Sequence, residues 1–305
     1  MVDFNAADGT QSFTRTFGNQ LSEGQRKGKY MLFDRPGPLT IMNSAGAIPA
    51  LMTAAQGQID TILVPGAFGN NMLELFQTTA QTLAPIYNAK GILIGGDVVD
   101  NESVEYVPGG NRAENPFAYV AGTDPGVFIR ATLEITDSSG SDQMCLGFRK
   151  QEAYAVPVSF LTTGDALYTD FAGIGFSGTA AANLVKSMTD IGNLGSTTVF
   201  STGFTWADTK IHQLEVRISK RQVQYLINGS RPGERITKDG IGGALATQTP
   251  LVPPAYTFTA GLNLIPFFFH RYDATTPGAV YLRRLEVGQL LEVGLQPEGR
   301  GPQAG

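Results

Sequence analysis

The chain has 305 residues, of which 42% are hydrophobic and only 16% are charged, and its formal net charge at pH 7 is −5. The acidic balance argues against a nucleic-acid-binding protein, and the single cysteine excludes an internal disulfide. So few charges suit a protein whose surface is covered by neighbours, and they also suit a Ser/Thr-covered extracellular domain.

The first 65 residues contain many chain breakers and few periodic runs. They predict an extended N-terminal arm, residues 1–65, with short strands at Tyr30–Phe33 and Thr40–Met42; disorder is the alternative. The N-terminus lacks the regions of a secretory signal, and Ala45–Ala55 is too short to span a bilayer. We therefore expect synthesis in a cytoplasm and no membrane association.

Two segments follow before the regular strand pattern begins. Met72–Leu83 is ambiguous, because its apolar residues follow helical spacing while Leu73–Gln77 also fits a strand. Gly91–Val99 is apolar enough for a buried strand.

From Val127 onward, apolar and polar residues alternate in short runs bounded by Gly, Asp, Ser or Pro. This is the pattern of half-buried β-strands separated by turns. The predicted strands are Val127–Thr136, Met144–Phe148, Tyr154–Phe160, Leu167–Phe176, Leu184–Thr189, Thr197–Phe204, Tyr256–Thr259, Leu264–His270 and Val280–Val287.

The strongest local signal is Lys210–Gly229, where two alternating runs flank a short polar bend and predict an antiparallel hairpin. Two strands cannot bury such an apolar face alone, so another sheet must cover it. The sequence therefore predicts an all-β sandwich at residues 66–292 and a flexible tail at 293–305. Arg231–Pro254, rich in Pro and Gly, predicts a long surface loop that makes contacts.

Enzymatic motifs are weak in this chain. Gly173–Gly178 matches G-x-G-x-x-G, but the following strand does not end in the acid that a dinucleotide site requires, which favours glycines at a bend. With only two histidines, His212 and His270, and Cys145, no zinc set can be assembled. Both histidines are predicted at strand ends, and Cys145 is predicted to be a small core residue.

Three further groups contain residue types that act in catalysis or ligand binding in other proteins. Glu134 and Glu215 lie on predicted strands, but each is the expected outward residue of its own strand rather than half of a glycosidase pair. Asp137–Asp142 offers oxygen ligands for calcium, although a plain Asp/Ser/Gly turn is favoured. Aromatic residues could form a sugar platform or belong to the core, namely Trp206, Tyr168 and Phe204. We predict no catalytic, cofactor-binding or metal-binding residue.

Several runs together resemble structural proteins of tailed bacteriophages that have concanavalin-like jelly-roll domains of the lectin/laminin-G type. The resemblance covers roughly residues 70–290 and rests on strand order and turn placement. The runs are Gly122–Gly140, Gly147–Tyr154, Tyr168–Phe176, Thr197–Ser219, Val223–Gly229 and Ile265–Leu290. The resemblance implies an antiparallel jelly-roll β-sandwich. The E-x-D-x-E cluster of the family's glycosidases is absent from the sequence, and no metal ligands carry over.

The resemblance implies a non-enzymatic virion protein, most simply a capsid decoration (cement) protein that binds the major capsid protein, often as a homotrimer, on the capsid surface. The alternative is a glycan-binding, lectin-like module of a tail fibre or adhesin. That alternative predicts exposed aromatic residues such as Trp206 beside an Asn/Asp-rich loop. A polysaccharide-degrading enzyme on the same scaffold is the third hypothesis, and it requires two facing carboxylates.

Overall fold

The computed structural model describes nineteen stretches of the chain, and the account below concerns these. They are residues 30–34, 40–42, 52–54, 60–66, 69–77, 81–83, 87–88, 90–94, 103–111, 115–139, 143–153, 168–177, 183–190, 198–219, 221–230, 236–237, 240–241, 258–271 and 279–290.

All regular structure in these stretches is β-strand. The strands are β1 (Tyr30–Asp34), β2 (Thr40–Met42), β3 (Met52–Ala54), β4 (Asp60–Gly66), β5 (Gly69–Gln77), β6 (Gln81–Leu83), β7 (Tyr87–Asn88), β8 (Gly91–Ile94), β9 (Ser103–Pro108), β10 (Tyr119–Val120), β11 (Val127–Ile135), β12 (Gln143–Lys150), β13 (Phe171–Ser177), β14 (Leu184–Asp190), β15 (Thr198–Thr205), β16 (Ile211–Ser219), β17 (Gln222–Ile227), β18 (Ile236–Thr237), β19 (Gly240–Ile241), β20 (Asn263–Arg271) and β21 (Val280–Gln289).

Two antiparallel sheets form the sandwich. The seven-stranded sheet has the order β17-β16-β11-β21-β8-β7, with β1 also paired to β21. The ten-stranded sheet has the order β15-β14-β13-β12-β20-β9-β5-β4-β2, with β10 also paired to β20. Sequence neighbours such as β11 and β12 lie in different sheets, so the chain crosses between layers as a jelly-roll sandwich requires.

The main hydrophobic core lies between the sheets because alternate side chains of facing strands point inward. On β11 every second residue from Val127 to Ile135 is at most 2% exposed. Other members of the core include Met144, Leu146, Phe148, Ile174, Phe176, Val185, Trp206, Leu214, Val216, Ile218, Phe268, Leu285 and Val287.

The ten-stranded sheet is also buried on its other face. Cys145 and Arg149 alternate with the core residues of β12 and therefore point away from the seven-stranded sheet, yet neither is more than 1% exposed. Beside Cys145, a second apolar cluster covers this face: Tyr168, Phe171, Met188, Phe267 and Phe269.

One ion pair is fully enclosed on that second face. Arg149 donates from Nε and Nη2 to Glu105 Oε1 over 3.0 and 2.6 Å, and Tyr168 donates its hydroxyl to Glu105 Oε2 over 2.6 Å. The guanidinium carbon lies 4.3 Å from the centre of the Tyr168 ring. Although burial alone would lower the pKa of Arg149, the neighbouring carboxylate of Glu105 raises it.

The predicted hairpin is confirmed as β16 and β17, paired from Leu214↔Ile227 to Ser219↔Gln222. Arg221 closes its turn with φ +70°, and Asn228-Gly229 ends β17 with φ +52° and +80°. Such angles favour Asn and Gly, which explains why the second strand stops there.

Most predicted strands are confirmed. The short strands of the first 65 residues are observed as β1 and β2, and the strands of the Val127–Val287 region appear as β11 to β17, β20 and β21. β13 begins later than predicted, at Phe171, because residues 168–170 form a bend.

Other predictions had a different outcome. The helical interpretation of Met72–Leu83 is wrong, since β5 and β6 occupy it and backbone pairing with β4 and β9 overrides the helical spacing. Gly91–Val99 is a strand only to Ile94 within the described residues. Phe258 and Thr259 lie outside any strand, so the strand at Tyr256–Thr259 is wrong there. The predicted strand Tyr154–Phe160 lies outside the described residues.

The domain boundaries at 1–65, 66–292 and 293–305 remain predictions. Within the first segment, β1 pairs with β21 and β4 pairs with β5, so described parts of this region contribute strands to both sheets. Most of Arg231–Pro254 lies outside the described residues. The described stretches contain no helix with the length and apolar character that crossing a membrane requires.

Candidate binding site at one end of the sandwich

Several loops meet at one end of the sandwich, which we call the loop end and define as residues 137–139, 183, 204–212 and 228–230. They meet because β11, β15 and β17 finish at this end while β14 and β16 start there. The antiparallel register of β11 and β16 fixes this arrangement, since it pairs Leu133 with His212.

Asp208 is the polar centre of the loop end. Its Oδ1 accepts hydrogen bonds from the backbone N–H and the hydroxyl of Ser138, over 2.8 and 2.6 Å. These bonds hold the pKa of Asp208 below its usual range. Asn183 Nδ2 donates in turn to Ser138 Oγ over 3.3 Å. The loop end therefore presents a carboxylate that is ionised at neutral pH.

Three rings pack next to these polar groups. His212 makes edge-to-face contacts with both Phe204 and Trp206, with ring centres 4.8 Å apart and planes at 86° in each case. Phe204 and His212 are half-buried, whereas Trp206 is fully buried. The accessible rings of the loop end are therefore Phe204 and His212.

The orientation of His212 is set by Asn228. Asn228 Oδ1 accepts from the backbone N–H of Gln213 over 2.9 Å, so its Nδ2 faces His212 Nδ1 at 3.0 Å. Because an amide nitrogen only donates, Nδ1 is the acceptor and Nε2 carries the ring proton. Burial lowers the pKa of His212, and the charge of Lys210 acts in the same direction. The ring is therefore neutral at pH 7.

The backbone of the loop end is strained. Of the four described non-glycine residues with positive φ, three lie here, namely Asn183, Thr209 and Asn228. Asn tolerates this conformation, but a β-branched residue such as Thr209 does so at a cost of about 1–3 kcal/mol. The N–H of Thr209 donates to the carbonyl of Ile135 over 2.8 Å, which helps to hold it in place. Strain of this kind concentrates at functional sites.

The sequence named some of these residues for other reasons. Trp206 was expected to be exposed if a glycan is bound, and that expectation is wrong: the ring packs 5.4 Å from Phe176 in the core. Its Nε1 donates to the carbonyl of Lys210, which satisfies the one polar atom of the indole. Tyr168 is also buried. Asp208 was missed, because its partner Ser138 lies 70 residues away in the sequence.

The Asp137–Asp142 segment follows the plain-turn interpretation as far as it is described. Asp137 Oδ1 accepts from the N–H and the hydroxyl of Ser139, over 3.0 and 2.8 Å, which is an Asx turn. The described part of the chain contains no group of three or more His, Cys, Asp or Glu side chains suited to a metal ion.

Glu134 and Glu215 do not form a catalytic pair with each other. Both lie on the outer face of the seven-stranded sheet, as their sequence phase predicted, although neither is more than 6% exposed. Glu215 is paired across the sheet with Arg130, four residues before Glu134 on β11, so the two acids are roughly 13 Å apart along the strand direction. Glycosidase carboxyl groups lie closer together, at about 5–9.5 Å.

Glu134 is also a poor proton donor. Burial by itself would raise its pKa, but hydrogen bonds from Lys90 and Arg283 lower the pKa below its usual value. The carboxylate is therefore ionised at neutral pH, which removes it as a general acid.

The glycine motif, the cysteine and the histidines named from the sequence lie in or beside the β-strands. Gly173 and Gly175 lie within β13 rather than at a strand-to-helix turn, so the nucleotide interpretation fails. Gly173 pairs directly with Gly147, and a Cβ at Gly173 would collide with the sulfur of Cys145. Cys145 is a buried core residue as predicted, and burial raises its thiol pKa well above the ordinary value. His212 and His270 lie near strand ends, also as predicted.

No family model and no curated protein matches the chain. Comparison with solved structures finds β-sandwich domains of low identity. The carbohydrate recognition domain of Emp47p has a TM-score of 0.43 and 9% identity over 74% of this chain and 90% of its own. Peanut lectin has a TM-score of 0.42 and 7% identity, covering 86% and 97%. The carbohydrate-binding module CBM66 from Bacillus subtilis has a TM-score of 0.35 and 10% identity, covering 67% and 86%. With TM-scores below 0.5, these likenesses carry no functional argument, and the function is argued from the chain's own residues.

Proposed function

We propose that this protein is a non-enzymatic glycan-binding module and that the loop end holds a neutral sugar. The observation that carries the proposal is the combination of two half-buried rings, Phe204 and His212, with the polar side chains of Asp208 and Asn228 on strained loops. Small-molecule sites commonly combine apolar surface with a few well-placed polar groups.

The chemistry of the loop end suits a sugar. The C–H face of a pyranose can pack on the half-buried Phe204 ring, while its hydroxyl groups donate to the ionised Asp208 carboxylate and exchange hydrogen bonds with Asn228. Asp137 adds a second exposed carboxylate next to the turn. Two carboxylates repel an anionic ligand, so the proposal specifies an uncharged glycan.

A glycan array of neutral oligosaccharides, followed by calorimetry on the best hit, tests the proposal. Phe204→Leu keeps the apolar contacts but removes the ring, and we expect it to weaken binding about ten-fold, or about 1.4 kcal/mol. Asn228→Gly is expected to act similarly, because glycine keeps the positive φ while the amide contacts to His212 and Gln213 are lost.

Thr123→Ala is the matched control, since Thr123 is exposed in the turn at the opposite end of β11. It should bind like the unmodified chain. Absence of any hit on the array, or an equal loss of affinity in Thr123→Ala, would contradict a sugar site at the loop end.

A virion structural role is the second candidate, and the low content of charged residues, 16%, favours it. It places the protein on the capsid surface, bound to the major capsid protein as a homotrimer, after synthesis in the host cytoplasm. A glycan-binding loop end is compatible with this position. Among the side chains that the structure describes, Ile211 is the one large hydrophobic residue that is exposed, so a contact with the shell through these side chains would be largely polar.

Truncation tests the virion role. A deletion of residues 1–60 would remove β1 and β2, which pair within the sheets, so a deletion that preserves these strands must end before Tyr30. We expect the protein without residues 1–29 to unfold at the same temperature as the full chain and to lose capsid binding in co-sedimentation. Equal co-sedimentation of the shortened and full chains would count against a capsid-binding arm in this region.

A further inference from the structure

The outer face of the seven-stranded sheet carries a layered set of charges. Five cations and three carboxylates among the described side chains form two groups of ion pairs here: Lys90 and Arg283 with Glu134, and Arg130, Arg217 and Arg284 with Glu215 and Glu286. The carboxylate side chains are 0–7% exposed, whereas the cationic side chains are 12–48% exposed. A ligand that approaches this face therefore meets cations above buried acids.

The cations follow a diagonal line across the sheet. Arg217 on β16 is in register with Phe128, Arg130 lies two residues further along β11, and Arg284 on β21 is in register with Thr132, two residues further again. With strands about 4.8 Å apart and a two-residue rise of about 6.8 Å, successive cations are roughly 8 Å apart.

A β-bulge extends this line. The register of β11 and β21 shifts between Thr132 and Leu133, which leaves Arg283 as the extra residue of β21. The bulge turns two consecutive arginines, Arg283 and Arg284, to the outer face, while Leu282 and Leu285 on either side stay in the core. Lys90, which shares Glu134 with Arg283, lies in the turn between β7 and β8 and carries the positive charge towards the neighbouring strand β8.

The buried carboxylates orient the guanidinium groups. Glu215 holds Arg217 through Nε, so its two terminal NH2 groups are not used in that pair, and Glu134 holds Arg283 through Nη1. Arg130 is fixed between Glu215 and Glu286 and stacks over the Phe128 ring at 5.1 Å. Side chains oriented in advance lose less entropy when an anion binds.

We propose that this line of cations, the cationic stripe, binds a linear anionic polysaccharide, with carboxylate or sulfate groups of the polymer paired to the arginines. Arginine pairs with such groups in bidentate geometry. This surface goes beyond the proposed neutral-sugar site, because it lies on the sheet face and selects the opposite charge. A nucleic acid is disfavoured because Phe128 is buried beneath Arg130 and cannot stack a base.

Binding to sodium alginate, measured by biolayer interferometry in 50 and 300 mM NaCl with neutral dextran as the comparison, tests the stripe. Arg217→Gln leaves Glu215 paired with Arg130, and Arg283→Gln leaves Glu134 paired with Lys90, so both variants keep a cation on each carboxylate. We expect each to weaken alginate binding about five-fold and the double variant about twenty-five-fold. The affinity of the unmodified chain should fall with salt, and dextran should not bind the stripe.

Lys210→Gln is the matched control, since it removes one positive charge at the loop end and should leave alginate affinity unchanged. Asp208→Asn should weaken neutral-glycan binding alone, which separates failure of the stripe from failure of the loop end. The stripe is overturned if alginate does not bind at 50 mM NaCl, if Lys210→Gln weakens it as much as Arg217→Gln, or if a single-stranded oligothymidine binds more tightly than alginate.

Discussion

Replacing Glu105 by glutamine should lower the free energy of unfolding by about 3–5 kcal/mol, although the new side chain has almost the same shape. Arg149 is fully buried, and Glu105 provides the counter-charge for its guanidinium within 2.6 Å. Glutamine can still accept hydrogen bonds, but it removes the carboxylate that is paired directly with this buried positive charge. The measurement is urea-induced unfolding followed by tryptophan fluorescence, since Trp206 lies in the core.

Two further variants separate charge from packing. Tyr168→Phe removes only the hydroxyl that donates to Glu105 and should cost about 1–2 kcal/mol. The double variant Glu105→Leu with Arg149→Met removes both charges and should be much more stable than the sum of its single changes predicts. Additive losses in the double variant, or a loss below about 1 kcal/mol for Glu105→Gln, would show that the pair is not buried as described.

The strands of the sandwich were predictable because one face of each strand is apolar. β11 and β21 show this pattern over eight or more residues, and their observed bounds differ from the prediction by one or two residues. β9 was not predicted, since the alternation of SVEYVP is short and ends at Pro108. Met72–Leu83 could not be resolved from spacing alone, because pairing with a distant strand decides it.

The burial of polar residues was not predictable from alternation. Phase alone indicates that Glu105, Arg149 and Glu215 point outward, and outward normally means exposed. On the ten-stranded sheet a second apolar cluster covers that face, and on the seven-stranded sheet arginines from neighbouring strands cover the carboxylates. Both coverings depend on long-range pairing, which a local pattern does not contain.

The candidate site was predictable only in parts. The sequence named Phe204 as a possible sugar platform, placed His212 at a strand end and included Asn228 in the predicted hairpin. It did not bring them together, because the contact between His212 and Asn228 depends on the register of β16 and β17. Asp208 had no signal beyond its position in a polar turn.

Between pH 6.5 and pH 5 the protein should lose about 1.6 kcal/mol of stability through His270 alone, since the slope approaches about 1.4 kcal/mol per pH unit below pH 6. Burial lowers the pKa of His270 to about 3 from the ordinary 6.5. Between these values the unfolded chain binds a proton that the folded chain does not, so stability falls as the pH falls. It is fully present above pH 6.5 and is lost progressively towards pH 3.

Few other groups titrate between pH 6.5 and 5, because the chain has only two histidines and most carboxylates titrate below pH 5. The effect of His270 can therefore be measured separately. Unfolding free energies of the unmodified chain and of His270→Leu should be compared at pH 6.5 and 5. Leucine suits the site, since the register neighbours Val104 and Met144 are buried and apolar. The variant should remove about 1.6 kcal/mol of the pH dependence. His212→Gln is the control and should remove less, because His212 is only half-buried. Parallel pH curves for His270→Leu and the unmodified chain would mean that His270 takes up its proton at the same pH in the folded and unfolded states. In that case His270 could not face the core of the sandwich as described.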